Sequence, residues 1–168
     1  GFARYSTDAQ WLVPHFEKML YDNALLTKAY LDAYTLTKKE LYKEAAKRTL
    51  DYVLLELTSP QGAFYSAQDA DSEGVEGKFY VWTPQEISEY LNDDEAKAFC
   101  TYYDIRPEGN WEGVSIPRTP RSLLEVANEL ELDADYLSQL INNCRQTVYQ
   151  GRKKRIPPGR SEERRVGK

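Results

Sequence analysis

The sequence has few of the residues on which metal and redox sites are usually built. Histidine occurs once, as His15, and the two cysteines, Cys100 and Cys144, stand far apart without a Cys-x-x-Cys motif. A single imidazole excludes any site that needs two, and this cysteine spacing excludes zinc sites of the Cys/His type. We therefore expect two reduced, buried thiols, no metal site and no cofactor.

Long apolar runs are also absent. No stretch approaches the roughly 20 apolar residues that cross a bilayer, so we expect no membrane partner. With 41% hydrophobic and 29% charged residues, the 168-residue chain has the composition of a soluble globular protein and is long enough for one domain. It starts at Gly1 without a methionine or a signal-peptide pattern, so we expect it to be part of a longer, cytoplasmic protein.

Charge is unevenly distributed along the chain. Residues 151–168 carry eight Lys and Arg and two Glu, whereas the whole chain has a net charge of −5, so the part before residue 151 is strongly acidic. Nucleic-acid phosphates attract proteins of the opposite charge, and an acidic body therefore argues against a nucleic-acid partner.

Two long helical patterns follow one another near the start of the chain. The first, over residues 15–36, comes after Pro14 and has a wide apolar face, and the second covers about 38–57. Thr37 and Glu40 have the spacing of a capping box, in which each side chain bonds a free backbone amide at a helix start. A link this short predicts an antiparallel helical hairpin.

The rest of the chain predicts short strands and further helices. Residues 62–68 and 78–82 have strand character and are expected to pair as a hairpin across the acidic segment between them. The further helices are expected at about 84–91, 93–103, 121–131 and 134–150, with capping signals at Thr83 and Asp133 and a loop over 104–121. No alternation of strands and helices indicates a parallel sheet, so the predicted fold class is mainly α with one inserted β-hairpin.

The acidic segment YSAQDADSEGVEGKFYVW allows several interpretations. Its first carboxylates match the start of a calcium-binding EF-hand loop, but Tyr80 stands where that loop needs a bidentate Glu, so we expect no calcium site. Asp69 and Asp71 could form a catalytic acid and base if their environments differ. The alternative, which spacing alone favours, is that both bond backbone amides of their own turn. For Glu73 and Glu76 the pattern favours a solvated hairpin tip.

The geometry of a helical hairpin brings two distant segments together. The chain entering the first helix and the chain leaving the second lie at the same end, so residues 1–15 are expected beside residues 58–82. His15 precedes a helix N-terminus, whose dipole disfavours an imidazolium; it is expected to be neutral and to act as a base or hydrogen-bond donor, or merely to pack. Trp11 and Trp82 are candidate platforms for sugars, although a single tryptophan more often belongs to a core.

Four motifs resemble a known family. The resemblance is to the spermatogenesis-associated, thioredoxin-domain-containing family, YyaL-like bacterial members included, and rests on GFARYSTDAQWLVPHFEKMLYDNALL, GAFYSAQDADSEGVEGKFYVW, FCTYYDI and GNWEGVSI. It implies a thioredoxin-like domain, absent from this chain, joined to an (α/α)6 barrel similar to six-hairpin glycosidases and N-acylglucosamine 2-epimerases. Residues 1–160 would be part of that barrel. The closing SEERRVGK, residues 161–168, departs from the family pattern and is expected to be foreign and disordered.

Together, the residues and the resemblance predict a protein of carbohydrate metabolism. It would act on a carbohydrate or polyol, through glycoside hydrolysis or through sugar epimerisation or isomerisation. The expected catalytic groups are His15, Asp69 and Asp71, and the expected substrate-binding side chains are Arg4, Tyr5, Trp11, Tyr80 and Trp82. The alternative is a non-catalytic barrel that binds a ligand or partner for the attached thioredoxin-like domain. A cavity shared by His15 with Asp69 or Asp71 would favour the enzyme, whereas carboxylates bonded to their own turn would favour the alternative.

Overall fold

The computed structural model describes residues 1–161, which form two compact units. The first unit comprises residues 1–77 and 158–161, and the second comprises residues 78–157. Both are built mainly of helices, of which the described residues contain six, accompanied by a few short antiparallel strands. The predicted mainly α class with a small β element is confirmed at this level.

The first unit is organised around two helices, α1 (Leu20–Thr37) and α2 (Glu40–Glu56). Lys38 follows the last residue of α1; it has a left-handed backbone with φ of 57° and donates its amide hydrogen to the carbonyl of Tyr34. A single residue in this conformation closes the last turn of a helix and redirects the chain. α2 therefore begins after a very short link.

Contacts on either side of this link show that the helical hairpin is antiparallel. The Tyr30 ring centroid lies 6.0 Å from that of Tyr42, and the Tyr34 hydroxyl donates to the Glu40 carboxylate at 3.3 Å. Tyr30 lies further from the link than Tyr34 does, and its partner Tyr42 also lies further from the link than Glu40 does, which is the arrangement of two helices running in opposite directions. The predicted helical hairpin is therefore confirmed.

Two details of the predicted hairpin are wrong. α1 begins at Leu20 and not near residue 15, because the residues just before it form a strand. The capping box of Thr37 and Glu40 is absent, since the Thr37 hydroxyl donates to the Ala33 carbonyl at 2.7 Å within α1 and no side chain caps the start of α2. The Thr37 hydroxyl also accepts a hydrogen bond from the amide of Lys39 at 3.3 Å, but not from that of Glu40 as a capping box requires, and spacing alone does not reveal this difference.

Within the described residues, the strands of the first unit are two residues long: β1 (Lys18–Met19), β2 (Ala67–Gln68), β3 (Asp71–Ser72), β4 (Val75–Glu76) and β5 (Arg160–Ser161). β1, β2 and β5 form an antiparallel sheet in that order, and β3 pairs with β4. The predicted pairing of residues 62–68 with 78–82 is therefore wrong. Strands this short have too little side-chain alternation to specify a partner from sequence.

The pairing of β1 with β2 confirms that the outer segments of the helical hairpin meet at one end. The chain entering α1 lies beside the chain leaving α2, with Lys18 opposite Gln68. Ser161 pairs with Ala67, so the first residue of the segment 161–168 belongs to a strand, contrary to the expectation of disorder. Residues 162–168, the rest of the segment expected to be foreign and disordered, lie outside the described residues.

The acidic segment forms a tight hairpin of its own. β3 and β4 are joined by Glu73 and Gly74, whose φ angles of 54° and 75° belong to a two-residue turn in which both residues are left-handed. The twist of such a turn matches that of the strands it joins. Glu73 and Glu76 are exposed, which confirms the predicted solvated hairpin tip.

The second unit has four helices around one apolar core. They are α3 (Pro84–Ser88), α4 (Asp93–Tyr103), α5 (Leu123–Glu129) and α6 (Ala134–Arg152). Thr83, Asn92 and Ser122 each form a capping box, and Asp133 caps α6. Because these caps satisfy free amides at the helix starts, the helices begin close to their predicted positions.

Candidate functional site

The segment before α1 forms a structured loop, residues 4–17, which carries four of the predicted site residues. Its two arms run antiparallel. The amide of Arg4 donates to the carbonyl of Glu17 at 3.2 Å, and the amide of His15 donates to the carbonyl of Tyr5 at 2.9 Å. Backbone bonds between the arms therefore hold these residues side by side.

Asp8 holds the tip of this loop. Its carboxylate accepts hydrogen bonds from the backbone amides of Gln10, Leu12 and Val13, the last at 2.6 Å. These bonds hold the pKa of Asp8 below its ordinary value, and the bond from the Val13 amide contributes most. One side chain thus fixes the conformation of a turn that has no regular secondary structure.

Trp11 lies within that turn. Its side chain is 83% exposed and its backbone is left-handed, with φ of 57°. This conformation costs a bulky residue on the order of 1–3 kcal/mol, and the surrounding bonds to Asp8 offset the cost. An exposed indole on a fixed turn is suited to stacking on an apolar face of a ligand.

Four side chains pack together at the base of the loop, and we call them the Tyr5–His15 cluster. Tyr5 and His15 have ring centroids 5.0 Å apart with a tilt of 38°. Arg4 donates from Nη1 to Glu17 Oε2 at 2.8 Å, and its guanidinium lies 6.0 Å from the Tyr5 ring centroid. The cluster presents aromatic surface together with hydrogen-bonding groups.

The two candidate carboxylates follow β2 in the same unit. Asp69 donates its amide hydrogen to the Gly159 carbonyl at 2.8 Å, and its carboxylate lies against the Cα of Gly159. Asp71 lies in β3, and both side chains are exposed. Among residues 1–161, neither carboxylate accepts a bond from an amide of its own turn. Bonding of both carboxylates to their own turn, the arrangement expected for the non-catalytic alternative, is therefore not seen among these residues.

The acidic hairpin packs beside the loop that carries His15. Gly77, which follows β4, has φ of 72°, and a side-chain carbon there would come within 2.6 Å of the ring of Phe16. Phe16 is buried and is the chain neighbour of His15. Lys18 of β1 pairs with Gln68 of β2; His15 lies three residues before Lys18, and Asp71 lies three residues after Gln68. The prediction that they lie at the same end of the helical hairpin is confirmed.

The other two predicted binding residues belong to the second unit. Trp82 is only 3% exposed and is part of that unit's core, with the Arg155 guanidinium 3.8 Å from its ring centroid. A ring enclosed in this way has no open face for a ligand, so we remove Trp82 from the candidate site. Tyr80 is half-buried beside Phe79 and Arg152, and its role in binding stays a prediction.

The cysteines lie in the second unit as free thiols. Burial raises the pKa of Cys100 to about 11. Burial, with the nearby charge of Glu95, raises that of Cys144 to about 11. Both thiols stay protonated at neutral pH and are therefore poor nucleophiles. Cys100 also lines an open cavity of about 640 Å³, which none of the predicted site residues lines.

The part of the chain that the structure describes has neither a three-ligand metal cluster nor a membrane-spanning helix. Across residues 1–161, no group of three His, Cys, Asp or Glu side chains is placed to hold a metal ion. The residues that resemble the start of a calcium loop form the β3–β4 hairpin instead. None of the helices in this part of the chain has the length and apolar character needed to cross a membrane.

Sequence reasoning missed two residues of the loop. Neither Asp8 nor Glu17 is among the predicted site residues, yet they hold the tip and the base of the loop. A signal for Asp8 existed, because an Asp two residues before a free amide often forms a turn, as Asp8 does with Gln10. No sequence signal links Glu17 to Arg4, because the antiparallel arms create that contact.

Comparison with known proteins shows similarity to one group of animal proteins. Human spermatogenesis-associated protein 20 is 36% identical over 183 residues, covering 94% of this chain, and the mouse protein of that name is 34% identical over 180 residues, covering 92%. An uncharacterized Caenorhabditis elegans protein is 32% identical over 183 residues and 94% of the chain. The chain spans about a quarter of these relatives, 23% of the two mammalian proteins and 25% of the nematode protein. No family model matches the chain.

Proposed function

We propose that the full-length protein binds a carbohydrate or polyol at the end of the helical hairpin where loop 4–17 lies. The observation that carries this proposal is Trp11, whose ring is 83% exposed on a turn held by Asp8. Sugars have apolar C–H faces that stack on exposed aromatic rings, and their hydroxyl groups need hydrogen-bond donors and acceptors. The Tyr5–His15 cluster and Asp71 would supply those groups.

We also propose that α1 and α2 form one hairpin of an (α/α)6 barrel in a protein of carbohydrate metabolism. Two observations support the barrel. The chain is mainly helical, and α1 and α2 expose large apolar side chains of the kind that pack against further helices. The motif resemblance adds a thioredoxin-like domain in the same polypeptide, and we expect the protein in the cytoplasm.

In the enzymatic form of this proposal, the reaction is glycoside hydrolysis or sugar epimerisation or isomerisation. Each of these needs groups that give and take protons beside the reacting carbon. His15 and Asp71 are the candidates for those roles, and Asp69 would orient one of them. Arg4, Tyr5 and Trp11 would bind the substrate.

A second candidate function is binding without catalysis. The observation that favours it is the exposure of both Asp69 and Asp71. A carboxyl group that acts as general acid near neutral pH usually needs an apolar enclosure to raise its pKa. If no further part of the protein covers these side chains, the barrel would serve as a ligand- or partner-binding module for the attached domain.

Two substitutions in the full-length protein test the proposal against a panel of monosaccharides and polyols. Trp11→Ala removes the stacking surface and is expected to weaken binding by roughly tenfold, as measured by isothermal titration calorimetry. Tyr136→Ala, which removes a 56% exposed aromatic ring from α6, is the control and should leave affinity unchanged. Equal affinity of wild type and Trp11→Ala for every sugar that binds would contradict the proposal.

Asp71→Asn then separates the enzyme from the binding module. The change is nearly isosteric and removes a negative charge from an exposed position, so the fold should persist. Loss of turnover with binding retained would support the enzyme with Asp71 as a proton-transfer group. Binding that persists with no turnover in the wild type would support the non-catalytic module.

A further inference from the structure

The ring nitrogens of His15 have different surroundings. Nδ1 accepts a hydrogen bond from the backbone amide of Glu17 at 3.3 Å. A backbone amide can only donate, so Nδ1 must present its lone pair. A neutral imidazole with a lone pair on Nδ1 carries its proton on Nε2.

The groups that impose this arrangement are themselves held in place. The amide of His15 is bonded to the Tyr5 carbonyl, and the carbonyl of Glu17 is bonded to the amide of Arg4. The Tyr5 ring packs on the imidazole, and Arg4 pairs with the Glu17 carboxylate. Rotation of the imidazole about its side-chain bonds would break the Glu17 contact and disturb the packing with Tyr5.

Nε2, by contrast, has no hydrogen-bond partner within the part of the chain that the structure describes. No side chain or carbonyl of residues 1–161 accepts a bond from His15 Nε2. The imidazole is half-buried, so Nε2–H is a donor at the surface of the loop with its direction set by the groups behind it.

We propose that His15 is a dedicated hydrogen-bond donor, and that the backbone amide of Glu17 positions it for this task. Its ligand must present an acceptor oxygen to Nε2–H, as a sugar hydroxyl or carbonyl does. The ligand class rests on the proposed function, whereas the tautomer stands on geometry alone. Neutral His15 has no free lone pair with which to take a proton, so any base of the reaction must be another group, and Asp71 is the available one.

The tautomer is measured first, in the absence of ligand. Full-length protein with ¹⁵N-labelled histidine is compared by long-range ¹H–¹⁵N NMR with its His15→Gln variant, and the signals that disappear are those of His15. In the neutral ring, a protonated Nε2 and an unprotonated Nδ1 are expected. A proton on Nδ1 would overturn the proposal, whether or not any sugar binds.

Two substitutions then test the donor role. The amide nitrogen of Gln can lie near the position of Nε2, whereas that of Asn lies near Nδ1. With D-glucose, or whichever panel sugar binds the wild type, His15→Gln is expected to keep affinity within about threefold and His15→Asn to lose up to about tenfold, the range of one neutral hydrogen bond. Equal losses in both variants, with unchanged melting curves, would overturn the donor role. A wild type that binds no sugar would instead contradict the proposed function and leave the NMR result to decide the tautomer.

Discussion

The two units of the chain bury their helices to different extents. In the second unit the helices surround one core, and Ile87, Val126 and Leu137 have no exposed surface. In the first unit α1 and α2 pack against each other, but seven of their leucines are at least 45% exposed: Leu25, Leu31, Leu36, Leu41, Leu50, Leu54 and Leu55. Packing two helices together covers one side of each, whereas four helices around a core leave few apolar side chains uncovered.

The two units also differ in whether side chains cap the starts of their helices. α3, α4 and α5 begin with capping boxes, whereas α1 and α2 begin after Met19 and Lys39 without a side-chain cap. Local sequence signals therefore define the helices of the second unit, and the helical hairpin of the first depends more on contact between its two members. Equivalent substitutions in the two units test this contrast.

The largest effect is expected from a core leucine of the second unit. Leu137→Ala should lower the free energy of unfolding by about 2–5 kcal/mol, because it leaves a cavity at a fully buried position. Leu54→Ala on α2, where the side chain is 62% exposed, should change it by only about 0.5 kcal/mol. Denaturant unfolding measures both, and hydrogen exchange locates the loss. Similar losses for both leucines would show that the exposed face of α2 is covered in solution.

A pair of glycines in the acidic hairpin gives the next largest effect. Gly77→Ala would place a carbon 2.6 Å from the Phe16 ring as well as straining a backbone with φ of 72°. Gly74→Ala has the same strain at φ of 75° but no atom within 4 Å, so it should cost only about 1–2 kcal/mol. The clash at Gly77 should add about 1–3 kcal/mol in the same denaturant measurement. Equal costs would mean that the hairpin does not pack on Phe16.

The smallest effect is expected in the pH dependence of the second unit's stability. Burial alone would raise the pKa of Asp104, but hydrogen bonds from Arg118 and Arg106, at 2.7 and 2.6 Å, outweigh it and hold the pKa below its ordinary value of 3.8. A lowered pKa stabilises the folded state above pH 3.8, and that contribution is lost as the pH falls through the folded value.

Asp104→Asn is the control for this titration. It should be less stable than the wild type at pH 7, and the difference in unfolding free energy should shrink as the pH falls below 3.8. Thermal melts between pH 2 and pH 7 measure it. A difference that stays constant over this range would mean that the arginine contacts do not depend on the charge of Asp104.

Predictions from sequence succeeded where a local signal was sufficient. Thr83 and Asp133 marked the starts of α3 and α6, because a cap acts within one helical turn. The helical hairpin was predictable for a similar reason, since a short link leaves two long helices no other arrangement than antiparallel. The boundary at Leu20 was not, because the residues before it have a helical pattern but pair with β2.

Contacts between distant residues decided the rest. Residues 160–161 complete the sheet, and no sequence pattern in β2 predicts pairing with a strand so far along the chain. Glu17 joined the candidate site only because the two arms of its loop run side by side. The proposed tautomer of His15 also depends on these two arms, which place the Glu17 amide beside the imidazole. The residue type alone is compatible with either a base or a hydrogen-bond donor.

The sequence by itself determined the mainly helical class, the hairpin of α1 and α2, and the end of that hairpin at which the candidate site lies. Tertiary structure alone decided that Trp11 is exposed and Trp82 buried, although each has one polar and one apolar neighbour in the chain. The physical reason is the distance along the chain over which each interaction acts. Helix propensity, caps and turns act over a few residues, whereas burial depends on which distant segments supply the neighbouring atoms, and those neighbours are chosen only when the chain folds.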